Sequence, residues 1–301
     1  MKLAAIDIGS NAIRFQISRV IEDDGEMKIK KLEYVRFPLR LGQDVFNLNE
    51  ISEKNQEKFF KLMKAFKLLM DLYEVDHYMA CATSAMREAK NGVEIARQIE
   101  RKLDFDINII NGDEEAWLIN KVILNSLNEE HTVHIDVGGG STEINVYNGR
   151  KKVNSESFKI GSVRNLQGKD TPEIWEIMEK WVKKNIMGLD NLVAIGTGGN
   201  INKIYELGNT KRDNSITIKN FQKTLNEIEK MSMEYRMNHL MLNPDRADVI
   251  VPASKIYLSI MKWANAKKIV VPQVGLKDGM MALLIDKHYK AWRKSRINQI
   301  V

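Results

Sequence analysis

The sequence predicts an α/β fold in which one βββαβαβα unit is used twice. Two stretches carry that expectation. "LAAIDIGSNAIRFQI" (residues 3–17) and "VHIDVGGGSTEINVY" (residues 133–147) follow one plan: an apolar run, an Asp-x-Gly turn of small polar residues, then a second apolar run. Around each copy the apolar periodicities repeat the same order of strands and helices.

Each element has its reason. "LAAIDIG" reads as a buried strand and the alternating "AIRFQISRVI" as its neighbour. "EDDGE" is a turn before a third strand, "MKIKKLEYVRF". Acidic and glycine turns between alternating runs are hairpin signals. Ser52 then caps a long helix with Phe59, Met63, Phe66, Met70 and Tyr73 on one face. A strand "HYMACAT", a helix "GVEIARQIERKL", a strand "INII" and a helix "DEEAWLINKVILNSL" complete the first unit. The second opens on the strands "TVHIDV", "TEINVYN" and "KKVNSESFKI". The helix "TPEIWEIMEKWVKKNI" follows, with Pro172 in its first turn. Then come the strand "NLVAIGT", a helix after "GGN", helices over 218–238 and 246–264, the strand "KKIVVPQV" and a last helix, "KDGMMALLIDKHYKAWRKS". No Gly/Pro/Ser-rich linker divides the units, so they are expected to pack around a shared cleft. The expected domains are 1–127, joined by the C-terminal helix 285–301, and 128–284.

Composition narrows the function classes. A chain of 301 residues, 44% apolar and 29% charged, suits a globular protein with a large core. The net charge of +6 is diffuse. Its densest basic run, "KAWRKSR", reads as a solvated helix face, so nucleic acid is not an expected partner. Cys81 is the one cysteine, which excludes an intramolecular disulfide, and its apolar run makes it a buried small hydrophobe. The five histidines lack HExxH spacing, and zinc is not expected. No apolar run nears the roughly 18 residues of a membrane span. Asp7 interrupts the first apolar run too early for a signal peptide, so the expected location is cytoplasmic, with no membrane partner.

The chemistry gathers in the turns. Glycines let backbone N–H groups converge and a ligand approach closely, and small hydroxyls add donors. Gly9, Ser10 and Asn11 would form one phosphate cradle, and Gly138, Gly139, Gly140, Ser141 and Thr142 another. An aspartate ending the strand before each turn supplies the hard oxygen that magnesium requires. In "ATSAMREAKNG" (residues 82–92), Thr83 and Ser84 offer donors and Arg87 a two-pronged phosphate contact. The alternative there is Ser84 as a helix cap with Arg87 solvated. In "IGTGGNINKI" (residues 195–204), Gly198, Gly199 and Asn200 either hold a phosphate at a helix N-terminus or form a plain capped turn. Glu114 and Glu115 open a helix about 100° apart, so at most one of them faces a cleft as a general base. Their alternative role is helix-terminus electrostatics.

"DIGSNAIR", "ATSAMREAKN", "GDEEAWL", "DVGGGSTE", "GTGGN" and "RADVIVPA" occur in the order found in the exopolyphosphatase/guanosine pentaphosphate phosphohydrolase (Ppx/GppA) family. The chain resembles that family over nearly its whole length, in its short two-domain form. The resemblance implies the duplicated ribonuclease H-like fold of the actin-like ATPase and sugar kinase superfamily. It also implies Mg²⁺-dependent (or Mn²⁺-dependent) hydrolysis of a terminal phosphoanhydride, with inorganic polyphosphate or guanosine pentaphosphate as substrate and a homodimer as assembly. Aligned on the motifs, the base falls on Glu115. Asp136 and Glu143 fall on the acids near the metal, with Asp7, and Arg87 and Arg14 fall among the phosphate contacts. Arg40 and Gly42 in "LRLGQ" match a further segment. Ala12, Asn200 and Pro252-Ala253 depart from the family pattern of serine, threonine and glycine, without removing a charged group. Lys151, Lys152, Lys159, Arg164, Lys169, Lys183, Lys184, Lys211 and Arg212 are candidates for a basic track that grips a long polyphosphate.

Overall fold

The computed structural model describes residues 1–127, 131–189, 191–208 and 214–300. The chain divides into two compact units, Met1–Val122 with Leu276–Val301, and Ile123–Gly275. All of the last helix, from Leu276, therefore groups with the first unit, where the sequence reading assigns it only 285–301.

In the first unit, β1 (Lys2–Ile8), β2 (Ile13–Asp23) and β3 (Glu26–Phe37) form an antiparallel meander. Then come α1 (Leu41–Leu48), α2 (Glu53–Leu72), β4 (His77–Ala82), α3 (Ser84–Glu88), α4 (Gly92–Leu103), β5 (Asn108–Ile109) and α5 (Gly112–Ile123). The five-stranded sheet has the order β3-β2-β1-β4-β5, with β4 parallel to both β1 and β5. The apolar face of α2 buries Phe59, Met63, Phe66 and Met70 as the 3.6-residue period predicts, and Phe66 stacks on Phe15 of β2 at 4.5 Å. Tyr73 sits past that stripe, capping α2 and donating its hydroxyl to Glu33.

The second unit contains β6 (His131–Val137), β7 (Thr142–Asn148), β8 (Lys151–Phe158), α6 (Ser162–Leu166), α7 (Pro172–Ile186), β9 (Val193–Thr197), α8 (Gly199–Gly208), β10 (Ser215–Thr217), α9 (Ile218–Lys230), α10 (Met233–Asn238), α11 (Pro244–Ala247), α12 (Ile250–Trp263) and β11 (Lys268–Val270). Its six-stranded sheet runs β10-β11-β9-β6-β7-β8. The last helix, α13 (Leu276–Ile300), returns to the first unit, where His288 stacks on His77 of β4 and Asp286 pairs with Lys121 of α5 at 2.7 Å.

The duplication extends to detail. β6-β7-β8 repeat the antiparallel meander of β1-β2-β3, and β9 lies parallel to β6 as β4 does to β1. Register shifts fall after Ile17 in one unit and after Val146 in the other, each ten positions beyond the aspartate of its turn (17 − 7 and 146 − 136). A bulge adds local twist, so both hairpins curl at the same place.

Several elements escape periodicity. α1, α3 and α6 are too short to show a helical period, and β10 has three residues. The helix expected over 218–238 breaks at Ser232, whose side chain accepts from Tyr235 N and caps α10. The one expected over 246–264 is preceded by the separate turn α11, which starts at Pro244.

Candidate active site

Asp7 ends β1 and lies on one rung with Cys81 of β4, Arg14 of β2 and, beyond it, Arg36 of β3. Arg14 Nη1 donates to Oδ2 of the buried Asp7 at 2.9 Å. The turn after β1 is fastened on two sides. Ser10 Oγ lies 2.8 Å from Ser84 Oγ and accepts from Ala85 N, while the carbonyls of Ser10 and Asn11 accept from Gly42 N and Arg40 N. A trans peptide places its N–H opposite its carbonyl, so the N–H groups of Asn11 and Ala12 point away from the Arg40–Gly42 segment. That is one wall of a cradle.

Ser84 is not a helix cap, since Thr83 holds that position. Arg87 is not simply solvated. It is half-buried, and its Nη1 donates to the Ile110 carbonyl at 2.6 Å, bracing the chain that leads into α5. There Glu114 and Asn111 cap the helix reciprocally. Glu114 N donates to Asn111 Oδ1 at 2.9 Å and Asn111 N to Glu114 Oε2 at 2.8 Å. Glu114 is thus exposed and engaged at the helix start, whereas Glu115 turns inward and shields Oε2 from solvent. Burial pushes the Cys81 thiol up to about 12, and the charges of Asp7 and Glu115 act in the same direction.

In the second unit Asp136 faces Glu143 across the β6–β7 ladder and lies beside Thr197 of β9. Glu143 is 2% exposed and accepts from Ser157 Oγ at 2.9 Å. The triple-glycine turn rests on α6. Its carbonyls are all turned inward: Gly138 O accepts from Ser162 N and Oγ, Gly139 O from Val163 N and Arg164 N, and Gly140 O from Arg164 Nε at 2.8 Å. By the same peptide geometry, the N–H groups of Gly139, Gly140 and Ser141 point outward, as an anion nest requires. Gly161 permits this contact, because a Cβ there would stand 2.5 Å from Gly139 O. The hydroxyl proton of Thr142 is committed to Ile160 O at 2.6 Å, so it stiffens the turn rather than lining it. Arg164 is buried at 7% exposure beneath Gly140, which removes it from the expected basic track. Lys151, Lys152, Lys159, Lys169 and Lys184 are exposed, Lys183 pairs with Glu179, and Lys211 and Arg212 lie outside the described residues.

Gly198 begins the second turn of this unit at φ +111°, and a Cβ on it would stand 3.2 Å from Asp136 Oδ1. Only glycine fits both conditions. Gly199 and Asn200 start α8.

The sequence reading missed the residues behind these turns. Tyr257 of α12 accepts from Val137 N at 3.1 Å and donates to the Thr197 carbonyl. His134 is buried, and burial pushes its imidazole down to about 3, so it is neutral. Asn145 Nδ2 donates to its Nδ1 at 3.1 Å, which assigns the Nε2 proton to Thr197 Oγ1 at 2.9 Å, and Ser155 orients Asn145. A polar His134 and Asn145 inside apolar strands, and Asn111 three residues before Glu114, were available signals. Tyr257, on an apolar helix, offered none.

The Asp136–Glu143 rung suits a hard divalent cation. Magnesium takes one or two protein carboxylates and fills its shell with water and substrate phosphate oxygens. Among the described residues, no group of three or more His, Cys, Asp and Glu could hold a metal by itself, and no helix is long and apolar enough to cross a membrane.

Fold and turns together define the class: a duplicated actin-like α/β protein with a carboxylate rung beside glycine turns. The chain belongs to the Ppx/GppA phosphatase family, whose model matches residues 20–288. It is 27% identical to a bifunctional 3-dehydroquinate synthase/phosphatase of Fusobacterium nucleatum, over 94% of this chain but 46% of that protein, so it spans about half the length of this relative. Among solved structures, the Ppx/GppA family member of Aquifex aeolicus is 25% identical with a TM-score of 0.73, covering 96% of this chain and 99% of that one. An exopolyphosphatase from Cytophaga hutchinsonii shares the fold at a TM-score of 0.82 and 20% identity, covering 95% and 98%.

Proposed function

We propose that this chain is an exopolyphosphatase, which hydrolyses the terminal phosphoanhydride of inorganic polyphosphate and releases phosphate. The observation that carries the reading is the rung of like-charged Asp136 and Glu143 beside the outward-facing amides of Gly139, Gly140 and Ser141. Carboxylates next to an anion cradle make sense together when a cation joins them. Mg²⁺ or Mn²⁺, held by Asp136 and Glu143, would neutralise charge on the terminal phosphates.

The residues then divide the work. The amides of Gly139, Gly140 and Ser141, those of Asn11 and Ala12, and the turn at Gly198, Gly199 and Asn200 bind phosphate oxygens. Gly9, Ser10, Thr83 and Ser84 shape the cradle of the first unit, and Arg14 holds Asp7. Glu115 accepts a proton from a water that attacks the last phosphorus in line. The bond from that phosphorus to the bridging oxygen breaks, and the chain leaves one phosphate shorter. Arg87, with Nη1 anchored on Ile110 O, turns the rest of its guanidinium to the transferring group and stabilises its charge. The protein acts as a homodimer in the cytoplasm.

Phosphate release from long polyphosphate, guanosine pentaphosphate and ATP, assayed in parallel, tests the reading. The expected result is the highest kcat/KM on polyphosphate. A preference for guanosine pentaphosphate would assign the nucleotide phosphohydrolase activity instead, a preference for ATP a kinase-type or ATPase chemistry, and no release from any a binding role without catalysis.

A further inference from the structure

Thr197 is held at both of its polar ends. His134 Nε2 fixes its hydroxyl at 2.9 Å, and the Tyr257 hydroxyl donates to its carbonyl while accepting from Val137 N at 3.1 Å. Tyr257 thereby ties the end of β6, where the Gly138 turn begins, to the end of β9, where the Gly198 turn begins. Its ring is buried in the core of the second unit. Burial raises its hydroxyl pKa well above 10, with the nearby Asp136 charge adding to the effect, so the group remains a donor.

The carbonyl of Thr197 faces Tyr257, so the N–H of Gly198, across the same trans peptide, faces the other way. That peptide is the weak point of the turn. A half-turn flip would take Gly198 from φ +111° to roughly −70° (111° less 180°), a region open to every residue. The flip would replace an outward N–H donor with the outward carbonyl of Thr197, which repels a phosphate oxygen. Nothing in the intrinsic preference of glycine opposes it.

We propose that the Tyr257 hydroxyl is the lock on the Thr197–Gly198 peptide, a positioning residue that keeps the Gly198 N–H available to a substrate phosphate. The proposal rests on the reading of the Gly198 turn as a phosphate cradle. It assigns to α12 a part in holding the Gly198 turn.

The test is Tyr257→Phe, which keeps the ring and removes the hydroxyl. With circular dichroism unchanged, KM for tripolyphosphate is expected to rise about tenfold or more while kcat moves less, and a crystal structure of the variant is expected to show the peptide flipped. A folded variant with wild-type KM, or a raised KM with the peptide unflipped, overturns the proposal. If Tyr257→Phe does not fold, Gly198→Ala serves: it penalises the positive φ but keeps the Tyr257 hydroxyl, so the lock predicts a crystal structure with the peptide still unflipped, at a cost in stability. A flipped peptide in Gly198→Ala, with the Tyr257 hydroxyl present, overturns the lock. Wild-type protein inert on every phosphoanhydride would sink the proposed function instead, and the peptide orientation in the Tyr257→Phe crystal would still decide the lock.

Discussion

Asp136 and Glu143 face each other across the β6–β7 ladder at the positions that Asp7 and Arg14 occupy across β1–β2. Both pairs stand seven residues apart around the same turn (14 − 7 and 143 − 136), yet one rung is an ion pair at 2.9 Å and the other carries two acids. Directly opposed side chains on an antiparallel ladder lie about 4.5–5.5 Å apart at Cβ, where like charges destabilise the sheet. The duplicated frame therefore pairs its aspartate with Arg14 in one copy and sets two acids on the equivalent rung in the other.

Mg²⁺ should accordingly raise the melting temperature of the wild type. Asp136→Asn should abolish most of that increment and raise the Mg²⁺ concentration needed for half-maximal activity, because a neutral amide replaces a charged oxygen ligand. Thermal melts with and without Mg²⁺ check this. An undiminished increment in Asp136→Asn would remove that residue from the metal site.

Glu115→Gln should lower kcat by about 10²–10⁴-fold, the usual contribution of a general base, with substrate binding retained. Glu114→Ala should instead cost about 0.5–2 kcal/mol of stability through the lost capping box and change kcat little. Steady-state kinetics with a denaturation curve for each variant separates the two. The reverse pattern would make Glu114, not Glu115, the base.

His134→Leu and Asn145→Leu should each destabilise the protein by about 1–3 kcal/mol, since each leaves a buried partner without its hydrogen bond. The double variant should lose less than the sum, because removing both partners also removes the unsatisfied group between them. Urea denaturation measures it, and strict additivity would contradict the network.

Cys81 should resist iodoacetamide at pH 8 in the native protein and react once unfolded. Its thiol is pushed from 9.0 up to about 12 by burial, with Asp7 next in effect. Because the folded value lies above the unfolded one, this group's contribution to stability is complete below pH 9 and is lost as pH rises towards 12. Intact-mass measurement after labelling would expose any native reactivity.

Polyphosphate should show a lower KM than guanosine pentaphosphate, and the advantage should shrink with salt. Exposed Lys151, Lys152, Lys159 and Lys169 offer several ionic contacts, each screened over about 8–10 Å at physiological ionic strength. A salt-insensitive KM would count against such a track.

The sequence by itself determined the duplicated α/β architecture, the long amphipathic helix through Phe59, Met63, Phe66 and Met70, and the glycine turns, because strand alternation, helical period and Asp-x-Gly chemistry are local. It also brought Asp136 and Glu143 forward as acids around one turn. Only the tertiary structure shows Glu114 engaged with Asn111 at the helix start and Glu115 turned inward, since that depends on which carboxylate Asn111 meets. Only it withdrew Arg164 from the surface, where its charge alone would have placed it, and set it under Gly140. And only it joined Tyr257 to Thr197 and Val137, residues 60 and 120 positions distant in the chain. Contacts of that span leave no period or motif in a sequence, because they arise when separately formed elements pack.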